Sequence, residues 1–122
     1  MFIEFQTMQD PIAPQPTIHT LEQWSVFEVP PSDGQTKWTR HFTGFSDDHP
    51  FISDSIMAFD ATNACAQTDS GHLIYLSGEP DWPKEIRQLW AGWKMLHRIT
   101  YERDVTTEFH AGLQMVRAGS PL

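Results

Sequence analysis

The apolar positions of this chain read as short strands between Glu22 and Leu76 and as a helix after Pro83. Glu22 to Val29 holds Trp24, Val26, Phe27 and Val29, aromatic and β-branched enough for a strand. Pro30-Pro31-Ser32-Asp33-Gly34 is a turn signal. From Thr36 to Phe45, Trp38 and Phe42 alternate with Lys37, Thr39, His41 and Thr43, although Arg40 interrupts the apolar side. The two runs and their turn predict a hairpin. Ser46 to Pro50 reads as a polar loop. Ser55 to Phe59 is apolar on both faces and suits a central strand. Asp60 to Asn63 turns the chain, Ala64 to Thr68 is a weaker strand, and Asp69-Ser70-Gly71 forms a short hairpin loop before His72 to Leu76, the clearest strand of all.

A helix is predicted from Pro83, whose fixed φ and missing N–H suit a first helical position, to about Arg98. Trp82, Ile86, Leu89, Trp93 and Leu96 form its apolar stripe, while Lys84, Arg87, Lys94 and Arg98 fall on a separate arc expected to stay in water. Beyond Tyr101 two readings stand. Val105 to Val116 is either a second short helix, capped by Asp104, Thr106 or Thr107, or a strand at Val105–Thr107 followed by a loose tail. Residues 1–20 carry Pro11, Pro14 and Pro16 without a period and read as an extended or disordered arm, leaving 21–122 as one domain.

Composition adds further constraints. A chain of 122 residues with five Trp and eight Phe can bury a core without staples. A single cysteine, Cys65, excludes an internal disulfide framework, and no apolar run approaches a membrane span, so a cytoplasmic setting without membrane partners is expected. Met1 to Phe5 lacks the basic flank and apolar core of a signal peptide. The net charge of −8 is unevenly placed: residues 1–81 carry twelve acids and two bases, residues 82–122 four acids and six bases. An acidic sheet surface beside a mildly basic helix disfavours direct nucleic-acid binding, which needs clustered bases.

Four runs carry a resemblance: Arg40-His41-Phe42-Thr43-Gly44-Phe45, Ile56-Met57-Ala58-Phe59-Asp60, Thr68-Asp69-Ser70-Gly71 and Tyr75-Leu76-Ser77-Gly78-Glu79-Pro80. Over roughly residues 36–106 the chain resembles small uncharacterised accessory proteins of bacterial phages and plasmids. The matching residues are structural punctuation, and no activity comes with them. The resemblance implies a mobile-element setting, in which small acidic inhibitors of host defence are common.

Candidate chemistry is sparse. Asp47, Asp48 and His49, with His72, are metal-ligand types, yet no paired-Cys, H-x-x-x-H or calcium-loop spacing is present, so no metal and no cofactor are expected. Cys65 with His41 or His72 would make a nucleophile pair, but the segment is acid-rich where a thiolate needs positive charge, and a lone Cys beside two alanines reads as a small buried hydrophobe. Asp54 with Asp60 or Asp69 would offer paired carboxylates if they converged. Trp82, Trp90, Trp93 and Tyr101 are stacking types; Trp82 and Trp93 belong to the core stripe, and Trp90, off its centre, is the one available to a partner.

The expectation is an α+β domain: an antiparallel meander of about five strands with one amphipathic helix packed on it. Its expected function is a non-enzymatic, protein-binding inhibitor encoded by a mobile element. It would block a host protein or nucleoprotein complex with a basic groove, of the anti-CRISPR or anti-restriction type. The acidic surface would comprise Asp33, Asp47, Asp48, Asp54, Asp60 and Asp69, and the helix surface Arg87, Trp90 and Lys94. The alternatives are a small metal- or Asp/His-dependent enzyme, or a dimeric assembly protein with Arg87 and Trp90 at its interface; monomer and homodimer both remain open.

Overall fold

A computed structural model describes residues 16–32 and 34–119. The chain runs β1 (Ile18–Val29), β2 (Thr39–Ser46), β3 (His49–Ile52), β4 (Ile56–Asp60), β5 (Cys65–Thr68), β6 (Leu73–Ser77), α1 (Lys84–Leu96), β7 (Arg103–Asp104) and α2 (Thr106–Gly119). The class is α+β, as expected, but the sheet is mixed and has seven strands rather than a five-strand antiparallel meander. Its order is β3-β2-β1-β6-β5-β4, with β7 on the far half of β1.

The departure from a meander lies in β1, which starts at Ile18 and so takes in the last residues assigned to the arm; residues 1–15 lie outside the described residues. Those added residues pair in parallel with β6, from Ile18 opposite Leu73 to Glu22 opposite Ser77. β1 then pairs antiparallel with β2 along its length, and Phe27 and Glu28 face Asp104 and Arg103 of β7. β3 was hidden in what reads as a polar loop, because His49 and Pro50 occupy an edge strand, where proline is tolerated.

A bulge between Glu22 and Ser25 shifts the side-chain parity of β1. It brings Leu21, Trp24 and Val26 to one face and Phe27 and Val29 to the other. From Trp24 to Val29 the strand is buried on both sides, because each face carries a helix. On one face Leu21, Trp24, Val26, Phe42, Ile74 and Leu76 pack with Phe109 and Leu113 of α2. On the other, Phe27 and Val29 pack with Trp90 of α1 and its neighbours Trp82, Trp93 and Ile99.

The α1 stripe is rotated from the expected one. Ile86 and Trp90 are its buried residues, whereas Leu89 is 38% and Leu96 78% exposed. On a 100° wheel the buried direction runs through Ile86, Trp90 and Trp93, with Arg87 and Lys94 on one flank and Leu89 and Leu96 on the other. The helix ends in a Schellman motif: Ile99 N–H donates to Lys94 O at 2.8 Å and Arg98 N–H to Met95 O at 3.2 Å. Arg98 therefore lies past the helix, at φ 57°. The helical alternative for the C-terminal segment is the one adopted, and the Asp104 carboxylate accepts the Thr106 amide at 2.9 Å at its start.

β3 and β4 stand at opposite ends of the strand order, yet only three residues join them. The sheet must curl until its two edges approach. They meet at this link, where Ser53 N–H donates to Phe42 O and Asp69 N–H to Ser55 O, both at 2.9 Å. A cavity lined by residues of β2, this link and the end of α1 lies at the seam.

Candidate functional site

Thr39 and His41 are two residues apart on β2, so their side chains leave the same face of the sheet. His41 is 6% exposed. Its Nδ1 lies 2.9 Å from the Ser53 carbonyl oxygen and its Nε2 2.8 Å from Thr39 Oγ1. A carbonyl only accepts, so Nδ1 carries the proton. Burial holds the imidazole below its ordinary pKa, outweighing the Ser53 hydrogen bond and the charges of Asp54 and Asp69 that favour protonation. The ring is therefore neutral near pH 7, Nε2 is an acceptor, and the Thr39 hydroxyl spends its one proton on it.

Ser53 is fixed from both sides: its Oγ accepts the Phe42 amide at 2.9 Å and donates to Asp54 O at 2.8 Å. The Asp54 carboxylate accepts the Ser70 hydroxyl and lies 3.9 Å from His72 Nδ1. Across the cleft, Trp93 of α1 lies 4.9 Å from His41, ring centre to ring centre, and 4.4 Å from His97. Thr39, His41, Ser53, Asp54, Trp93 and His97, with Asp69, line a cavity of about 330 Å³ at the seam. A second cavity of about 590 Å³ adjoins it and shares Gln35, Thr39, Ser55 and Asp69.

The expected acidic surface divides. Asp54 and Asp69 come together at this cleft. Asp60 closes the far end of β4, where its carboxylate accepts Thr62 N–H at 3.0 Å and Asn63 Nδ2–H at 2.7 Å. Asp47 and Asp48 are the two central residues of the β2–β3 turn, at φ 50° and 65°. These six acids do not form one edge, and Asp33 lies outside the described residues.

The helix surface changes more. Trp90 is 2% exposed, stacked between Phe27 at 5.0 Å and Trp93 at 4.9 Å, with its indole N–H on Glu102 at 2.9 Å. It is core and not available to a partner. Lys94 forms an ion pair with Glu102, so it too is drawn away from the open face, while Arg87 is exposed. Trp82 packs on Phe27 at 4.6 Å, and Tyr101 meets the exposed Trp38 edge-on at 5.9 Å.

Cys65 is not brought to a histidine base. It sits on β5, separated from the strand of His41 by β1 and β6 in the sheet, and opposite Tyr75 rather than His72. No group of three or more metal-ligand side chains converges among the described residues. No helix among them is long and apolar enough to cross a membrane. No protein-family model matches the chain, and neither a curated protein nor a solved structure does.

Sequence reasoning named His41 only as a partner for Cys65 and Trp93 only as a stacking type of the core stripe, and it missed Thr39 and Ser53. The Thr39-x-His41 alternation within a strand was a usable signal. The approach of Ser53 and Trp93 was not, since both depend on how the sheet curls.

Proposed function

We propose that the chain is a non-enzymatic protein-binding inhibitor that occupies a basic groove of a host nucleic-acid-handling complex, of the anti-CRISPR or anti-restriction type. The observation that carries this reading is the Asp47–Asp48 turn. Both residues have the positive φ of a type I′ turn, which Asn or Gly satisfies equally well without charge. The backbone thus accounts for the turn but not for two adjacent carboxylates on its exposed tip. Neither Asp47 nor Asp48, nor the exposed Asp60 and Asp69, forms an ion pair among the described residues. Unpaired carboxylates raised on a turn suit long-range attraction to a basic partner and the displacement of phosphates from it. The resemblance to phage and plasmid accessory proteins points the same way.

The test is binding of the purified chain to a guide-loaded CRISPR effector and to a restriction enzyme at about 50 and 200 mM salt. Binding should weaken at least several-fold at the higher salt, and the Asp47→Asn/Asp48→Asn double variant should lose both affinity and salt dependence. Absence of binding to either complex, or binding that ignores salt and the double variant, would reject the reading.

His41 favours a second reading, an Asp/His-dependent enzyme. A neutral imidazole oriented by a carbonyl and bonded to a hydroxyl is the arrangement of a general base beside a nucleophile. Turnover of activated esters that disappears in Thr39→Val would support it, and its absence in the native chain would exclude ester chemistry.

A further inference from the structure

We infer that the seam cleft between β2, the β3–β4 link and the end of α1 is a receptor for a guanidinium group, namely an arginine side chain of the partner. This rests on the reading that the chain binds a basic protein, and it names where and how one partner residue is held.

The Asp54 and Asp69 carboxylates at the cleft are acceptors only. The Thr39 hydroxyl has committed its proton to His41 Nε2, so toward the cleft it offers lone pairs alone. His41 has no free donor, because Nδ1–H is held by the Ser53 carbonyl. Ser53 Oγ–H is likewise spent on Asp54 O. Thr39, His41 and Ser53 therefore present only acceptors to whatever enters, while Ser32, Gln35, Ser55 and His97 in the same lining also carry donors. To the two carboxylates and the Thr39 lone pairs a guanidinium brings five N–H donors and no acceptor.

Shape and charge select in the same direction. Neither Lys nor Arg lines the 330 Å³ cavity; its charged groups are the two carboxylates, with imidazole its sole basic group. One wall is the indole of Trp93, held in place by stacking on Trp90 at 10° between planes. A planar cation gains from both features, lying against an aromatic face while its edge meets a carboxylate. Lysine, a compact charge without a plane, uses only one of them. Asp69 in its lining is an exposed carboxylate with no ion-pair partner among the described residues.

The experiment uses the full chain and two small probes, N-acetylarginine amide and its uncharged citrulline counterpart, followed by amide and indole NMR shifts. Saturable shifts at Thr39, His41 and the Trp93 indole are expected with the arginine probe, with citrulline at least about fivefold weaker. Asp69→Asn should weaken the arginine probe about fivefold, the scale of one partly exposed ion pair. Asp60→Asn, at the far end of β4, should leave it unchanged and serves as the folded control. Equal binding of citrulline, no saturable shift with arginine, or an Asp69→Asn variant that binds like the native chain would overturn the inference. Should the arginine probe fail while salt-dependent binding to the basic complexes persists, the cleft assignment falls and the wider function stands. Should the probe bind at the cleft while neither complex is bound, the cleft stands and the proposed function falls.

Discussion

His41 donates Nδ1–H to the carbonyl oxygen of Ser53 at 2.9 Å, which ties the start of β2 to the link that closes the curled sheet. Burial sets the sign of the pH effect. Its folded-state pKa lies below the ordinary 6.5, so at mildly acid pH the unfolded chain binds a proton that the folded chain refuses. The stability contributed by neutral His41 is whole above the ordinary value and is lost as the pH falls below it. Urea midpoints should drop between about pH 7 and about pH 5.5, the underlying stability falling by at most about 1.4 kcal/mol per pH unit. His41→Asn, which keeps a donor for Ser53 but does not titrate, should flatten that slope. A variant with the native slope would show that another group is responsible.

Glu28 joins three elements at the opposite face of the same strands. It is 8% exposed and accepts from Arg40 Nε at 3.1 Å and from Arg103, while Arg40 also reaches Glu108 at 3.4 Å and lies over the Phe109 ring. Burial alone would raise its pKa; the hydrogen bonds and charges of Arg103 and Arg40 outweigh that and hold the carboxyl below the usual range. Its contribution is therefore present above the ordinary carboxylate value and is lost as the pH falls through the folded one. Glu28→Gln should cost about 1–2 kcal/mol at neutral pH, less than a fully buried pair because both arginines reach solvent. The difference from the native chain should shrink as the pH falls below about 4. A constant difference across that range would assign the loss to packing instead of charge.

Much of this fold was legible from local pattern. β6, the β4–β5 hairpin and α1 follow directly from alternation, turn residues and the Trp-rich stripe. Two things were not. The parallel pairing of Ile18–Glu22 with β6 depends on contacts more than fifty residues apart, which no local period encodes. The rotation of α1 about its axis depends on which side of an apolar arc meets the sheet, and the wheel alone could not choose Trp90 over Leu89. Arg40, which reads as an interruption of the apolar face, is explained only by Glu28 and Glu108 arriving from two other elements. The site was obscured for the same reason: Thr39 and His41 are neighbours in sequence, but the Ser53 carbonyl that sets the tautomer is not.

Gly44 lies opposite the β1 bulge, and a Cβ built there would sit 2.9 Å from Glu22 O and 3.3 Å from the Trp24 Cα. Both are backbone atoms of a buried strand and cannot rotate away. Gly44→Ala should destabilise by about 1–3 kcal/mol, the usual range for forced overpacking. Gly92, in the middle of α1, meets nothing within 4 Å. Gly92→Ala should stabilise by about 0.5–1 kcal/mol through helix propensity. The pair of urea curves tests the bulge specifically, since opposite signs are required; a neutral Gly44→Ala would mean that β1 gives way at little cost.

Arg98 occupies the left-handed position of the Schellman motif that glycine ordinarily fills, and its side chain is exposed with no ion pair among the described residues. A residue with a Cβ is strained there by about 1 kcal/mol. Arg98→Gly should therefore raise stability by about 0.5–1 kcal/mol even though it removes a cation near the helix C-terminus, a loss worth a few tenths at an exposed site. Because Ile99 follows directly and packs against the Trp90 cluster, a tighter turn should also slow exchange of the Ile99 amide, which is bonded to Lys94 O. Thermal unfolding and amide exchange of the two chains provide the comparison. A lower midpoint in Arg98→Gly would mean that the guanidinium does more at this position than the backbone geometry accounts for.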